Sequence, residues 1–257
     1  MSGLGQALSF FSIIPMKKNE HLDRRMFYNL VLVGLILGFV GASLFFILDT
    51  FFNGMVGGAI SIVLLLYLSG FNHLDGVLDS GDAMMANVSL EKKIAILKDQ
   101  NTGAGGIGFA ISIYVPIVIF LSLLNPLQGF VVVIFSEVFS KFSYILILRN
   151  AKTLSNGIAR LFSNIIKPAW FSIMAINLLP ILILSFFISF LAFMCLPLTL
   201  LSTCYMKRKF YSVFDGLNGD LAALNGEIVR LVITLFMSMT LSLVHGSGIS
   251  YIQTFIR

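Results

Sequence analysis

Five stretches of this chain, residues 26–48, 50–74, 100–136, 168–206 and 231–256, contain no Lys, Arg, Asp or Glu. A bilayer core of about 30 Å is crossed by about 20 apolar helical residues, so each stretch is long enough to span at least once. With 58% hydrophobic and only 11% charged residues, an ordinary soluble domain is excluded. The expected fold class is all-α, a polytopic integral membrane protein. Residues 1–25 show no short apolar segment followed by a small-residue cleavage site. They carry Lys17, Lys18, Arg24 and Arg25 instead, so no removable signal peptide is read there.

The net charge of +5 does not mark a nucleic-acid binder, because of where the charges lie. Fifteen of the seventeen Lys and Arg residues fall in 17–25, 92–98, 149–167 and 207–230. Positive residues stay on the cytoplasmic side, so these four stretches share one side of a cell membrane. The rule also sets the helix count. As one helix the 168–206 stretch would extend about 58 Å, and a single crossing would strand Lys207, Arg208 and Lys209 outside. Two crossings, with a turn near 186–189 and Pro180 and Pro197 as internal kinks, restore the pattern. The expectation is seven spans, at 27–48, 54–72, 107–124, 128–148, 169–185, 188–205 and 228–246. They form one membrane-embedded catalytic domain over 1–257, with acidic loops facing the cytoplasm. The last span is the most open, because residues 247–257 can return along the interface. Ser89 is placed to cap a short amphipathic helix whose apolar side is Leu90, Ile94 and Leu97. Cys195 and Cys204, in or beside apolar runs, read as small fillers.

In a chain so poor in charge, Asp75, Asp79 and Asp82 stand out at the end of an apolar stretch, within Phe71-Asn72-His73-Leu74-Asp75-Gly76-Val77-Leu78-Asp79-Ser80-Gly81-Asp82. Spacings of four and three put all three carboxylates within about 60° of one another on a helix. Like charges on one face repel and are costly to desolvate, which calls for a bound cation. Carboxylates are hard oxygen ligands and no His or Cys cluster favours zinc, so Mg²⁺ is the expected occupant, with Mn²⁺ as a substitute. The bland alternative is a set of solvated loop charges, but no basic partner lies at an adjacent turn. His73 reads either as a catalytic group or as a hydrogen-bonding anchor at the membrane boundary.

Three further groups carry chemistry. Lys98, Gly103, Gly105 and Gly106 lie in Lys98-Asp99-Gln100-Asn101-Thr102-Gly103-Ala104-Gly105-Gly106-Ile107-Gly108, where a glycine-rich backbone enters a helix. Free N–H groups and a lysine there suit an anion; the alternative is close helix packing by small residues. Asp220 and Glu227, seven apart after the Asp215-Gly216 turn, share a helical face. Glu137 and Lys141, four apart inside an apolar stretch, read equally as a self-neutralising pair or as functional groups.

At these positions the chain resembles the cobalamin synthase family, the adenosylcobinamide-GDP ribazoletransferases. The resemblance is carried by the His-Leu-Asp-Gly-x-x-Asp-x-x-Asp run at 73–82, the Lys-Asp-x-x-x-Gly segment at 98–103 and the Asn-Gly-Asp…Glu element at 218–227, in that order. Phe10-Phe11-Ser12-Ile13-Ile14-Pro15 is similar to its N-terminal signature, and Val33-Gly34-Leu35-Ile36-Leu37-Gly38 to its first-helix glycine pattern. Asp99-Gln100-Asn101-Thr102-Gly103 departs from the family's usual Asp-Ser-Arg-x-Gly by one positive charge, and Lys141 stands where Arg is common. The resemblance implies that a ribose hydroxyl of α-ribazole, or of its 5′-phosphate, attacks the cobinamide-linked phosphorus of adenosylcobinamide-GDP and that GMP leaves. On this reading Asp75, Asp79 and Asp82 hold the metal, with Asp220 and Glu227 completing the site or acting as base. His73 then joins Asp82, Asp220 and Glu227 as a catalytic group, and Lys98 with Gly103, Gly105 and Gly106 holds the leaving phosphates. Partners are the two substrates and the lipid bilayer, with no nucleic acid; a homo-oligomer is left open. A CDP-alcohol phosphotransferase would need an Ala-Arg and a Gly-x-x-x-Asp-x-x-x-Asp ending that are missing here. A cation transporter would spread its acids over several helix centres rather than gather them at one end.

Overall fold

A computed structural model of the chain describes residues 3–15, 22–99 and 101–246. Eleven α-helices are described: α1 (Gly3–Phe11), α2 (Leu30–Phe51), α3 (Gly54–Leu68), α4 (Asn72–Met85), α5 (Leu90–Ile96), α6 (Ala104–Leu121), α7 (Pro126–Ile147), α8 (Ile158–Ile166), α9 (Trp170–Phe187), α10 (Leu191–Phe214) and α11 (Gly219–Gly246). Among the described residues there is no strand, only an isolated bridge between Thr153 and Leu217. Residues 247–257, where an interfacial return was an open expectation, and Gln100 lie outside the described set.

The apolar stretches become helices because hydrocarbon offers backbone groups no partner outside the helix. Local signals fix the ends. Asn125 accepts from Gln128 N–H at 2.9 Å and Gln128 reaches back, with Pro126 at the first turn, so α7 starts on a capping box. Asn53 caps α3 through Val56 N–H at 3.0 Å. Ser89 precedes α5 without a side-chain cap, contrary to the expectation. The hairpin between α9 and α10 falls at 188–190, close to the expected 186–189.

Five helical stretches are long and apolar enough to cross a membrane, and six if the α3–α4 pair, bent by 95°, is one span. The protein is therefore multi-pass. Seven spans are not reproduced on length and composition. The 54–72 stretch does not continue straight: α3 stops at Leu68, and Gly70 (φ 65°) and Phe71 (φ 58°) turn the chain through left-handed conformations into α4. Glycine suits the first of these positions; Phe71 adopts the second at the cost of steric strain. The expected 188–205 span corresponds to the first part of α10, but that helix, which runs on through Lys207–Lys209 to Phe214, is not among the stretches apolar enough to cross. The expected 228–246 span begins nine residues earlier, so Asp220 and Glu227 lie inside α11.

The core sits around α7, the most enclosed of the long helices, which packs against α2 and α11. α2 meets α7 closely because Gly34 lacks a side chain: a Cβ there would lie 2.9 Å from Val138 Cα and 3.0 Å from Glu137 O. Asn177 of α9 bridges to the start of α2, accepting from Val31 N–H at 2.9 Å and donating to Phe27 O at 2.7 Å. These bonds satisfy groups that a helix start leaves open.

We expect Gly34→Val to destabilise the protein by about 1–3 kcal/mol through overpacking against α7. Gly108→Ala, in α6 with open space around the new Cβ, should be neutral or gain about 0.5–1 kcal/mol. Unfolding midpoints of the two variants in one detergent check both; equal effects would refute the packing account.

Candidate active site

α4 carries the first acidic motif, so the three aspartates lie on a helix, as their spacing of four and three predicts. The helix is docked on two sides through glycines. A Cβ at Gly76 would lie 2.9 Å from Ala223 Cβ and 3.1 Å from Asp220 Cα, so α4 touches α11 beside the second acidic motif. A Cβ at Gly81 would lie 2.6 Å from Phe109 Cβ and 3.0 Å from Gly106 Cα, so α4 also crosses α6 at the glycine cluster. Motifs about 140 residues apart in sequence thereby meet. At the far end of α4, Lys93 Nζ donates to Ala86 O at 2.5 Å and Ala83 O at 3.2 Å, placing a cation on the helix C-terminus.

The acids divide into two classes. Asp82 is engaged: its carboxylate accepts from Gly103 N–H at 2.6 Å and Gly106 N–H at 2.8 Å, capping the start of α6. The anion seated on the glycine-rich backbone is thus a side chain of the protein itself. Gly105 lies against the same carboxylate, and Lys98 is exposed nearby in sequence. Asp75, Asp79 and Asp220 stand in no ion pair with Lys or Arg among the described residues. The strongest like-charged neighbours of Asp79 are Asp75 and Asp220, followed by Asp82 and Asp99. Asp220 accepts one bond, from Asn218 Nδ2 at 2.6 Å. Asp215 caps α10 in the left-handed conformation (φ 61°) and pairs with Lys152 at 2.5 Å, as a turn residue.

Glu227 belongs to a different environment from Asp220. It is buried, with Oε1 3.1 Å from His73 Nδ1 and Oε2 accepting from Arg230 at 2.6 Å. Arg230 also donates to Glu137, whose other oxygen pairs with Lys141 Nζ at 2.7 Å. His73 Nε2 faces Tyr144 Oη at 3.3 Å. A continuous buried chain results: Lys141, Glu137, Arg230, Glu227, His73, Tyr144. Its two cations and two carboxylates balance, as low-dielectric burial requires. Arg230 and Tyr144 were missed by the sequence reading. The signal for Arg230 was present, an i,i+3 spacing from Glu227; Tyr144 had none.

Beside His73 and Asp220 opens a cavity of about 220 Å³ walled by Phe10, Phe11, Tyr144 and Phe162. Polar groups at one edge of an aromatic pocket can position a reacting group against an apolar body. Among the described residues, no three His, Cys, Asp or Glu side chains converge as a metal-binding group. Asp75, Asp79 and Asp220, with no basic partner among the described residues, are the hard-oxygen groups that could hold Mg²⁺ together with substrate phosphates.

Comparison with known proteins accords with this geometry. The family described as cobalamin-5-phosphate synthase matches residues 3–238. A protein of Picrophilus torridus named adenosylcobinamide-GDP ribazoletransferase is 34% identical over 95% of this chain and 100% of its own length. Proteins of the same name from Thermoplasma acidophilum and Saccharolobus islandicus are each 30% identical, covering 97% and 92% of this chain and 95% and 90% of their own. No solved structure matches.

The buried chain makes an energetic prediction. Arg230→Met leaves a buried carboxylate charge in excess and should cost about 3–5 kcal/mol. The double variant Arg230→Met, Glu227→Gln removes one cation and one carboxylate together, keeps Glu137 paired with Lys141 and should cost clearly less. Chemical unfolding in detergent compares them, and a larger loss in the double variant would refute the pairing.

Proposed function

Because the chain belongs to the cobalamin-5-phosphate synthase family, we propose that it joins α-ribazole, or α-ribazole 5′-phosphate, to adenosylcobinamide-GDP with release of GMP. The observation that carries this reading is the electrostatic neighbourhood of Asp75, Asp79 and Asp220 on α4 and α11, with no basic partner for any of them among the described residues and with Asp220 at the wall of an aromatic cavity. Phosphoryl transfer asks mainly for positioning and charge neutralisation.

Asp75, Asp79 and Asp220 would hold Mg²⁺, and the ion would supply neutralisation of phosphate charge. The protein's own groups do the rest. The ribose hydroxyl oxygen attacks phosphorus, the bond to the GMP oxygen breaks, and the hydroxyl proton needs an acceptor. His73 suits that part through Tyr144: Glu227 at Nδ1 favours the Nδ1–H tautomer, so Nε2 can accept from the Tyr144 hydroxyl while that hydroxyl takes the substrate proton at the cavity wall. Glu227, with both oxygens engaged, acts through His73. Asp82 fixes α6 against α4, and its hold on Gly103 and Gly106 leaves Lys98 as the group of that segment available to a phosphate. Under the positive-inside rule the site faces the cytoplasm of a cell membrane.

The test is GMP release by purified protein in nanodiscs, supplied with adenosylcobinamide-GDP and either ribazole form. Turnover should require Mg²⁺ or Mn²⁺ and fall about 100-fold or more in Asp75→Asn, Asp79→Asn and Asp220→Asn, about 2.7 kcal/mol or more in the barrier. Unfolding midpoints should stay near that of the parent. Near-parental turnover in all three variants at saturating metal would refute the assignment. Orientation is checked separately: cysteines introduced at the exposed Ser89 and Ser212 should both be shielded from an impermeant thiol reagent in intact cells. Labelling of either one would refute the sidedness.

A further inference from the structure

Away from the aspartates, a second cavity of about 480 Å³ opens where α7 ends and α9 begins. Its lining includes Arg149, Asn150, Lys167, Trp170, Phe171 and Ser172, and contains no acidic residue. The Arg149 guanidinium lies 3.7 Å from the centre of the Trp170 ring, a stacked arrangement that holds the charge at a fixed place. Lys207 Nζ donates to Arg149 O at 2.5 Å and so fastens the backbone that carries the guanidinium. Trp170 Nε1 is buried and has no hydrogen-bond partner in the protein, so the ring serves this cavity through its face rather than as a donor. The side chain of Lys167 makes no hydrogen bond or ion pair among the described residues.

The level in the membrane follows from the same residues. The uncharged 168–206 stretch starts immediately after Lys167, and Phe171 is 79% exposed on its first turn. Trp beside Lys and Arg at such a boundary marks the headgroup layer. A basic pocket between membrane helices at this depth is built for a phosphate headgroup, with the apolar body of the ligand running down an exposed aromatic face.

We propose that this cavity is a phosphate-binding site at the bilayer surface, in which Arg149 and Lys167 hold the oxyanion and Trp170 and Phe171 flank the body that carries it. Two sources offer that chemistry, the headgroup of an anionic lipid and a soluble phosphate compound. The occupant touches none of the residues assigned to the reaction, so the site does not depend on the identity of the substrates.

Thermal unfolding separates the sources. The protein is placed in nanodiscs of phosphatidylcholine with and without phosphatidylglycerol, and in detergent with and without inorganic phosphate. Phosphatidylglycerol should raise the midpoint by about 2–4 °C. The rise should vanish in Arg149→Gln and in Lys167→Gln and persist in Lys92→Gln, an exposed lysine on α5. An equal rise with inorganic phosphate in detergent, lost in the same two variants, assigns the site to a soluble phosphate compound. Lys167→Gln keeps the test readable if loss of the Arg149 stack prevents folding. The proposal is overturned if neither probe shifts the parent, or if the shift survives in Lys167→Gln.

Discussion

The buried charges at the centre of the bundle are what the rest of the structure depends on. Two carboxylates and two cations are buried where water cannot screen them, so each must be met by the next. The chain from Lys141 to Tyr144 begins and ends on α7 and passes through α11 and α4. Both oxygens of Glu227 are claimed, one by Arg230 and one by His73. Sliding α11 by one turn past α7 would break the Arg230–Glu137 pair that joins them and leave each carboxylate only the cation of its own helix. Such a network is weak evidence for net stability, but it fixes helix register. It also anchors α4: a 14-residue helix turned 95° from its predecessor docks through His73 and through the contact of Gly76 with Asp220.

That anchoring sorts the acids by role. Glu137 and Glu227 are neutralised by Lys141 and Arg230, Asp215 by Lys152, and Asp82 by the N–H groups that open α6. On α4 and α11, the two helices that the inner network holds together, the acids without a basic partner among the described residues are Asp75, Asp79 and Asp220. The inner charges thus place the outer ones, and the outer ones are free to meet a cation and phosphates.

Much of this was legible in the sequence, and the failures have physical causes. Uncharged stretches located the helices, and the positive-inside rule located the α9–α10 hairpin within two residues. The break at Ser69–Phe71 was not legible, because apolar composition continues through it; Gly70 was the one available signal. Asp220 and Glu227 were grouped by their spacing of seven, and they do share a helix. The structure separates their surroundings because Arg230, three residues on, claims Glu227. Arg230 had been counted with the topology-setting cations, and spacing alone does not reveal depth. The glycine cluster carried two readings, anion cradle and close packing. The structure displays elements of both, since Gly106 packs under α4 while its N–H holds a carboxylate.

The 95° bend also resolves a conflict built into the chain. Three aspartates within eight residues are prohibitive in a helix that continues into hydrocarbon, yet the preceding stretch is apolar through Leu74. Turning at Gly70 and Phe71 ends the span and carries α4 across the bundle, with Val77 and Ala83 buried and Asp75 exposed. Tyr144, one turn before the end of α7, contacts His73, and Arg149 follows two residues after the helix ends. The acidic face and the basic cavity therefore lie near the same end of α7, at one surface of the membrane.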